Sequence, residues 1–359
     1  MTEPTPGGEP VTHHPPSARA VLLYWVARIF LKPVYRMWPL GNRGIRALGL
    51  IESAFARLPH PRSVTHDHIE LGGVPTHTYT PRYRAHDALT GAHILFMHGG
   101  AFLFCGPATH RRLCGMLAET LGVPVHSVRY RQLPEVGVAT SVHDTYAAYR
   151  ALAEQIDAPD RIIVAGDSAG GFLAAKICEL AERDGLPRPA AFVGYSPQLS
   201  LDADRHDPKI LKHDAYQPLS AVRRAKTRWL IDDVELSGSR TPIEAPITAF
   251  PPTFLTVAER ELLEPDILAL TELLHQAGTP VQTHRWRRQV HAFPVLAGML
   301  PESRKSIALT GQFLDRFSRR FGVRPIEWHS ELTPRTRARN WAAISSGQAP
   351  VVVGARSAL

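Results

Sequence analysis

One stretch near the middle of the chain most restricts what the chain can fold into. The apolar, β-branched run at 161–165 leads directly into Gly166-Asp167-Ser168-Ala169-Gly170-Gly171, and helical spacing continues to residue 183. A strand that turns at once into a helix needs a very tight turn, and glycines tolerate the close backbone approach there. Such a turn raises the hydroxyl of Ser168 above the end of the strand. The stretch therefore predicts an α/β fold with Ser168 as a candidate nucleophile.

Short apolar strands alternate with helices from about residue 68 onward. Residues 68–81 hold alternating strand candidates around Gly72-Gly73, and the further predicted strands are 92–97, 123–130, 161–165, 190–195, 252–257 and 281–286. The predicted helices are 141–156, 170–183, 264–277 and 303–321. This alternation predicts a mainly parallel, doubly wound sheet that is covered by helices on both faces.

Composition divides the chain into four regions. Residues 1–18 are rich in Pro, Gly, Thr and His, and we expect them to be disordered. Residues 19–67 predict N-terminal helices, 68–322 a catalytic domain, and 323–359 a C-terminal extension. A polar, helical insertion at about 200–248 interrupts the strand pattern. Together with the N-terminal helices it predicts a cap over the ligand crevice, and a surface excursion without a function is the alternative.

The basic charge is concentrated near the N-terminus. Lys and Arg number 41 against 33 Asp and Glu, and residues 17–62 hold eight basic residues and one acid, Glu52. The apolar run at 20–31 is interrupted by Arg28 and is too short to span a bilayer. A basic, aromatic helix can make peripheral contact with an anionic membrane. The alternative, which we favour, is a helix that packs on its own protein.

Other partners and compartments have little support in the sequence. No recognition motif accompanies the positive charge, so we expect no nucleic-acid partner. No secretory signal is evident, so a cytoplasmic location is expected. Three scattered cysteines, Cys105, Cys114 and Cys178, predict neither a disulfide framework nor a zinc site. His66 and His68 have no third ligand close by in sequence, so we expect no metal site and no cofactor.

A glycine-rich stretch predicts an oxyanion-binding loop. His98-Gly99-Gly100-Ala101-Phe102 directly follows the predicted strand 92–97. Backbone N–H groups in such a loop can stabilise the negative oxygen that forms when an acyl group is transferred. We expect the donors to be the N–H groups of Gly99, Gly100 or Ala101, and of Ala169, which follows Ser168. An ordinary glycine-rich turn is the alternative interpretation.

Ser168 needs a base and an acid. In folds with a serine at this kind of turn, the acid and then the histidine follow it along the chain. His291 lies just past the last predicted strand and is the preferred base; His284 lies in that strand, His275 in a helix and His329 in the tail. The acid should follow the strand 252–257, where the candidates are Glu259, Glu261, Glu264 and Asp266. The residues by themselves do not separate Glu259 from Glu261.

Taken together, these motifs resemble one family. They are 98–102, Tyr130-Arg131-Gln132-Leu133-Pro134-Glu135, Asp144 ahead of Tyr146-Ala147-Ala148-Tyr149, 166–171, and Val290-His291-Ala292-Phe293. Over roughly residues 70–320 the chain resembles the hormone-sensitive-lipase-like branch of the α/β-hydrolases, which are carboxylesterases and lipases. The resemblance implies an α/β-hydrolase fold with a helical cap.

The same resemblance implies which glutamate is the acid, although the chain departs from the family pattern at a few positions. The family usually places its acid 30 residues before its histidine, which selects Glu261 for His291. It also implies a supporting role for Asp167. The chain departs from the family pattern at Ala101, where glycine is usual, at Gln132-Leu133, and at Glu261, where aspartate is commoner.

These observations predict a serine carboxylic-ester hydrolase that forms an acyl-enzyme. Ser168, His291 and Glu261 would form its triad, and short- to medium-chain acyl esters or a lipid would be its substrates. Four aromatic residues are expected to line the acyl pocket or, alternatively, to pack in the core: Phe102, Phe104, Trp229 and Phe293. An amidase or deacetylase of the same fold, and a non-catalytic small-molecule receptor, are the alternative functions. A trypsin-like protease is excluded, because its histidine and aspartate precede its serine.

Overall fold

The computed structural model describes residues 9–83, 89–202, 204–205, 213–232 and 234–321, and the short strands 326–328 and 352–354. The chain divides into two compact units, residues 1–311 and 312–359. In the described part of the first unit, the strands of one sheet are β1 (Val11–His13), β2 (Val64–Leu71), β3 (Val74–Pro81), β4 (His93–Met97), β5 (Val125–Val128), β6 (Ile162–Asp167), β7 (Ala191–Tyr195), β8 (Thr253–Ala258) and β9 (Val281–Trp286).

Helices connect these strands and cover the sheet. They are α1 (Ala18–Val26), a π-helical segment (Ala27–Leu31), α2 (Lys32–Met37), α3 (Asn42–Ala56), α4 (Pro107–Leu121), α5 (Val138–Gln155), α6 (Ala169–Arg183), α7 (Leu219–Trp229), α8 (Glu264–Gln276) and α9 (Pro301–Phe321). No described helix is long and apolar enough to cross a membrane.

The strand order is β1-β9-β8-β7-β6-β4-β5-β3-β2. β2 and β3 form an antiparallel hairpin, β3 is antiparallel to β5, and the neighbours from β5 to β1 run parallel. All six residues of the central strand β6 are buried, as expected for a parallel strand covered on both faces. The predicted α/β fold with a mainly parallel sheet is confirmed.

The structure differs from the sequence prediction at the N-terminus. Val11–His13, inside the segment expected to be disordered, form the edge strand β1, and Val11 pairs with His284. The ring of His13 stacks on Trp286 at 3.8 Å between centroids. These contacts order a segment that composition predicted to be disordered. Residues 1–8 lie outside the described residues.

The second unit contains the end of the chain. Within the described part of it, Ile326–Trp328 and Val352–Gly354 form a parallel pair, β10 and β11. Most of the predicted extension, 323–359, lies outside the described residues.

The N-terminal helices and the insertion at 200–248 are in contact. Arg224 of α7 donates to the carbonyl of Arg36 at 2.7 Å, and Lys32 donates to the carbonyl of Asp214 at 2.6 Å. The side chain of Arg228 also bonds to Asn42. The two segments thus form one layer, although they are far apart in sequence.

Candidate active site

Ser168 lies in a strained turn between β6 and α6. Its φ is 49° and its ψ is −121°, a conformation that costs a non-glycine residue about 1–3 kcal/mol. The Ser168 N–H donates to the carbonyl of Tyr195 at 3.1 Å, and its own carbonyl accepts from the N–H of Gln198 at 2.8 Å. These bonds to the last residue of β7 and to the loop that follows it hold the serine in the strained position.

Close packing explains the glycines of this turn. A Cβ atom on Gly170 would lie 2.0 Å from the carbonyl oxygen of Met97, and one on Gly166 would lie 2.4 Å from that of Gly170. Neither position accepts a side chain, because such distances are far inside van der Waals contact. The first turn of α6 therefore touches the end of β4, which places the loop after β4 beside Ser168.

That loop has an unusual backbone. Gly100, Ala101 and Phe102 have φ values of 113°, 55° and 60°. The indole of Trp229 donates to the carbonyl of Ala101 at 3.0 Å. Within the described residues, no acceptor is bonded to the N–H groups of Gly100, Ala101 or Ala169. These three N–H groups are therefore the candidate donors to a substrate oxygen.

Gly99 does not share this role. Its N–H donates to Oδ1 of Asp167 at 2.9 Å, and a Cβ on Gly99 would lie 2.3 Å from Oδ2 of the same residue. The prediction that Gly99 could supply an oxyanion donor is therefore wrong. Its N–H instead anchors the loop to the residue before Ser168.

Asp167 also pairs with a buried histidine. Nε2 of His110 lies 3.1 Å from Oδ1 of Asp167, and the two side chains are 3% and 5% exposed. Burial would lower the pKa of His110, but the charge of Asp167 and hydrogen bonds raise it above its ordinary value. The pair therefore holds Asp167, which precedes Ser168 in the turn and also binds the loop after β4 through Gly99.

His291 and Glu261 meet in the structure. Nδ1 of His291 donates to Oε2 of Glu261 at 2.9 Å, and each side chain is 2% exposed. Burial would lower the pKa of His291, but the charge of Glu261 and their hydrogen bond raise it. Glu259, by contrast, lies 3.4 Å from the guanidinium of Arg287. Geometry thus separates the two glutamates that local sequence left open.

The other candidates have different partners. His284 bonds to His13 at 2.8 Å, Glu264 pairs with Arg285 at 2.6 Å, and Asp266 lies 3.3 Å from Arg205. His275 is exposed on α8, and His329 lies outside the described residues.

Ser168 and Ala292, the residue after His291, bond to two consecutive residues at the end of β7. Ser168 bonds to Tyr195 as described, and the next residue, Ser196, accepts from the N–H of Ala292 at 3.2 Å. Within the described residues, Nε2 of His291 is buried and has no hydrogen-bond partner. No hydrogen bond joins Ser168 to His291 here, and catalytic hydrogen bonds are often long before substrate binds.

Comparison with known proteins identifies the family. The family described as having the alpha/beta hydrolase fold matches residues 94–295. The chain belongs to the α/β-hydrolase fold family. A solved hormone-sensitive lipase from a metagenome library is 28% identical to this α/β-hydrolase, with a TM-score of 0.70, over 81% of this chain and 99% of that chain. This likeness confirms the predicted resemblance to the hormone-sensitive-lipase-like branch.

Two curated relatives extend the comparison. This α/β-hydrolase is 30% identical to the carboxylesterase/phospholipase LipF of Mycobacterium tuberculosis, over 76% of this chain and 74% of LipF. It is 33% identical to an acetyl-hydrolase of Streptomyces hygroscopicus, over 62% of this chain and 75% of the relative.

The structure of this α/β-hydrolase also reveals a residue that sequence analysis missed. Asp214 is 1% exposed, and its Oδ2 accepts from the N–H of Leu262 at 2.9 Å. Its Oδ1 accepts from the N–H groups of Tyr216 and Gln217. Asp214 therefore fixes the backbone next to Glu261. No local motif marks it, because its partner lies 48 residues away.

The predicted pocket residues fall into different environments. Phe102 and Phe293 are fully buried at 0% exposure. Phe102 contacts Phe172 edge-on at 5.8 Å, and Phe293 lies 5.4 Å from Trp286. Both therefore pack in the core, which corrects their prediction as pocket residues. Trp229 is 2% exposed and holds the loop after β4, while Phe104 is half-buried.

Proposed function

We propose that this esterase/lipase-type α/β-hydrolase is a serine carboxylic-ester hydrolase with a Ser168-His291-Glu261 triad. The observation that carries the proposal is the buried 2.9 Å hydrogen bond from His291 to Glu261, which leaves Nε2 of the same imidazole without a protein partner. A nucleophile, a base and an orienting acid are what a serine hydrolase needs.

The reaction proceeds in two halves. Ser168 Oγ attacks the acyl carbon while Nε2 of His291 takes the hydroxyl proton. The N–H groups of Gly100, Ala101 and Ala169 donate to the carbonyl oxygen as it becomes negative, and a single such donor is worth about 3 kcal/mol. The tetrahedral intermediate collapses, and His291 gives its proton to the departing alkoxide, which leaves as the alcohol.

Water completes the cycle. His291 accepts a proton from water, which attacks the acyl carbon of the acyl-enzyme. Collapse of the second intermediate breaks the bond to Ser168 Oγ, and His291 returns the proton to it. The carboxylic acid leaves and the enzyme is restored. Glu261 accepts the Nδ1 hydrogen bond throughout and stabilises the imidazolium.

The substrates that we propose are short- to medium-chain acyl esters, including lipid esters. The printed activities of the relatives, carboxylesterase/phospholipase and acetyl-hydrolase, support this class. The rings of Phe102 and Trp229 contact each other edge-on at 5.8 Å between centroids, and a series of acyl chain lengths tests the size of the acyl pocket.

Hydrolysis of p-nitrophenyl acetate, butyrate and decanoate tests the proposal. We expect turnover of at least one ester by the wild type, and a loss of about 10⁵–10⁶-fold in kcat for Ser168→Ala. Equal rates for wild type and variant would refute the Ser168 nucleophile. Matched p-nitroanilides test the amidase alternative, since an amidase would cleave them at least as well.

We also propose that α1 to α3 make peripheral contact with anionic membranes. One face of α1 packs inward through Ala20, and the opposite face is exposed. Large apolar side chains on α1, α2 and the segment between them are 46–80% exposed: Leu22, Trp25, Ile29, Phe30, Val34 and Met37. The single acid of the region, Glu52, binds the N–H groups of Ala108 and Thr109 at the start of α4. An exposed apolar face on a segment with an excess of basic residues fits an anionic lipid surface.

Co-sedimentation with vesicles tests this contact. We expect binding to phosphatidylglycerol-containing vesicles and weak binding to pure phosphatidylcholine. Ile29→Ser with Phe30→Ser should weaken binding at least about tenfold, since burying each such side chain contributes roughly 1.5–3 kcal/mol. The control is Leu273→Ser, at an exposed position on α8. Equal binding by the double variant and the control would refute the contact.

A further inference from the structure

A group of histidines lies on one face of the β2–β3 hairpin, at the edge of the sheet. His68 and His77 are direct partners in the antiparallel register. His66 precedes His68 by two residues, so it points to the same face of the strand. The pairing of the two strands thus brings a third histidine, His77, beside the two that are close together in sequence.

The three imidazoles come within coordinating reach of each other. Nε2 of His66 lies 3.1 Å from Nδ1 of His77. One ring nitrogen from each of His66, His68 and His77 lies within 4.8 Å of the other two. His60, from the loop after α3, stacks on His66 at 3.7 Å between centroids and restricts the rotation of that ring.

We propose that His66, His68 and His77 form a site for a divalent ion of the zinc class. Zinc binds imidazole nitrogen at about 2.0–2.1 Å in tetrahedral geometry, which requires nitrogens about 3.4 Å apart. The His66–His77 separation is close to that value. His68 is exposed, so its side chain can rotate to close the remaining gap, and a water molecule completes the fourth position.

The chemistry of the donors selects the ion. Imidazole nitrogens suit Zn²⁺, Cu²⁺ and Ni²⁺, whereas Mg²⁺ and Ca²⁺ prefer oxygen ligands. The site lies on β2 and β3, whereas Ser168 follows β6, and β5 and β4 lie between them in the sheet. Its role is therefore to cross-link the hairpin rather than to take part in ester hydrolysis.

Calorimetric titration with ZnCl₂ of the full-length, metal-free protein tests the site. We expect one equivalent to bind to the wild type, and His68→Ala to weaken binding by at least about 10–100-fold, the usual cost of disturbing a metal site. His68→Ala removes an exposed side chain, so folding should be retained, which circular dichroism can check. His77→Gln provides a second variant with the same expectation.

The matched control is His275→Ala, at an exposed histidine on α8 outside the cluster. It should bind Zn²⁺ as the wild type does. Absence of zinc binding to the wild type, or equal binding by His68→Ala and the control, would overturn the proposal. Esterase assays do not enter this test, so its failure is distinct from a failure of the proposed function.

Discussion

His291 and Glu261 are joined by a 2.9 Å hydrogen bond between Nδ1 and Oε2, with both side chains almost completely buried. The first prediction follows from this bond. Glu261→Gln should lower kcat by about 10³–10⁴-fold, because the amide no longer stabilises the imidazolium or fixes its tautomer. Steady-state kinetics on p-nitrophenyl butyrate measures the loss.

Glu259→Gln is the matched control for that substitution. Glu259 pairs with Arg285 and Arg287 rather than with His291, so its replacement should change kcat by no more than about twofold. A greater loss at Glu259 than at Glu261 would show that the wrong acid has been assigned.

The pH dependence of kcat/KM provides a second prediction. His291 must be neutral to take the serine proton, and the charge of Glu261 raises its pKa. Activity should therefore fall as pH decreases through a value above the ordinary histidine pKa. In Glu261→Gln the residual activity should fall at a lower pH, because the charge that raises the pKa is absent. An unchanged acid limb in the variant would contradict this assignment.

A third prediction concerns the His110–Asp167 pair. His110→Gln should destabilise the protein by about 3 kcal/mol, because it leaves the buried carboxylate of Asp167 without its charged partner. The pKa of His110 is raised in the folded state, so its contribution is fully present below the unfolded pKa and is lost as pH rises through the folded pKa. Urea unfolding across this pH range should show that the difference in the free energy of unfolding between variant and wild type decreases as pH increases. A difference that stays constant would argue against an ion pair.

The fourth prediction tests Asp214 as a positioning residue. Asp214→Asn should reduce kcat about tenfold with little change in KM, because the backbone at Leu262 loses a charged acceptor next to Glu261. The Asp214 charge also contributes to the raised pKa of His291, so the acid limb of kcat/KM should move to lower pH. A fall in stability with an unshifted limb would indicate a structural role only.

The serine turn could be predicted from the sequence because its causes are local. Ser168 sits between a β-branched run and a helix, and a side chain at Gly166 would clash with Gly170, which is only four residues away. The alternation of strands and helices likewise predicted the sheet. The disorder that composition predicted is wrong at Val11–His13, because these residues pair with β9.

What the sequence determined by itself was the local geometry around Ser168 and the order of the elements, since both follow from steric limits and hydrophobic periodicity over short stretches. The tertiary structure decided which distant groups meet: Glu261 rather than Glu259 at His291, Gly99 at Asp167, Asp214 beside Leu262, and His77 across from His68. Each of these contacts depends on the packing and register of separate elements, and a shift of one residue along a strand would turn the side chains to the opposite face.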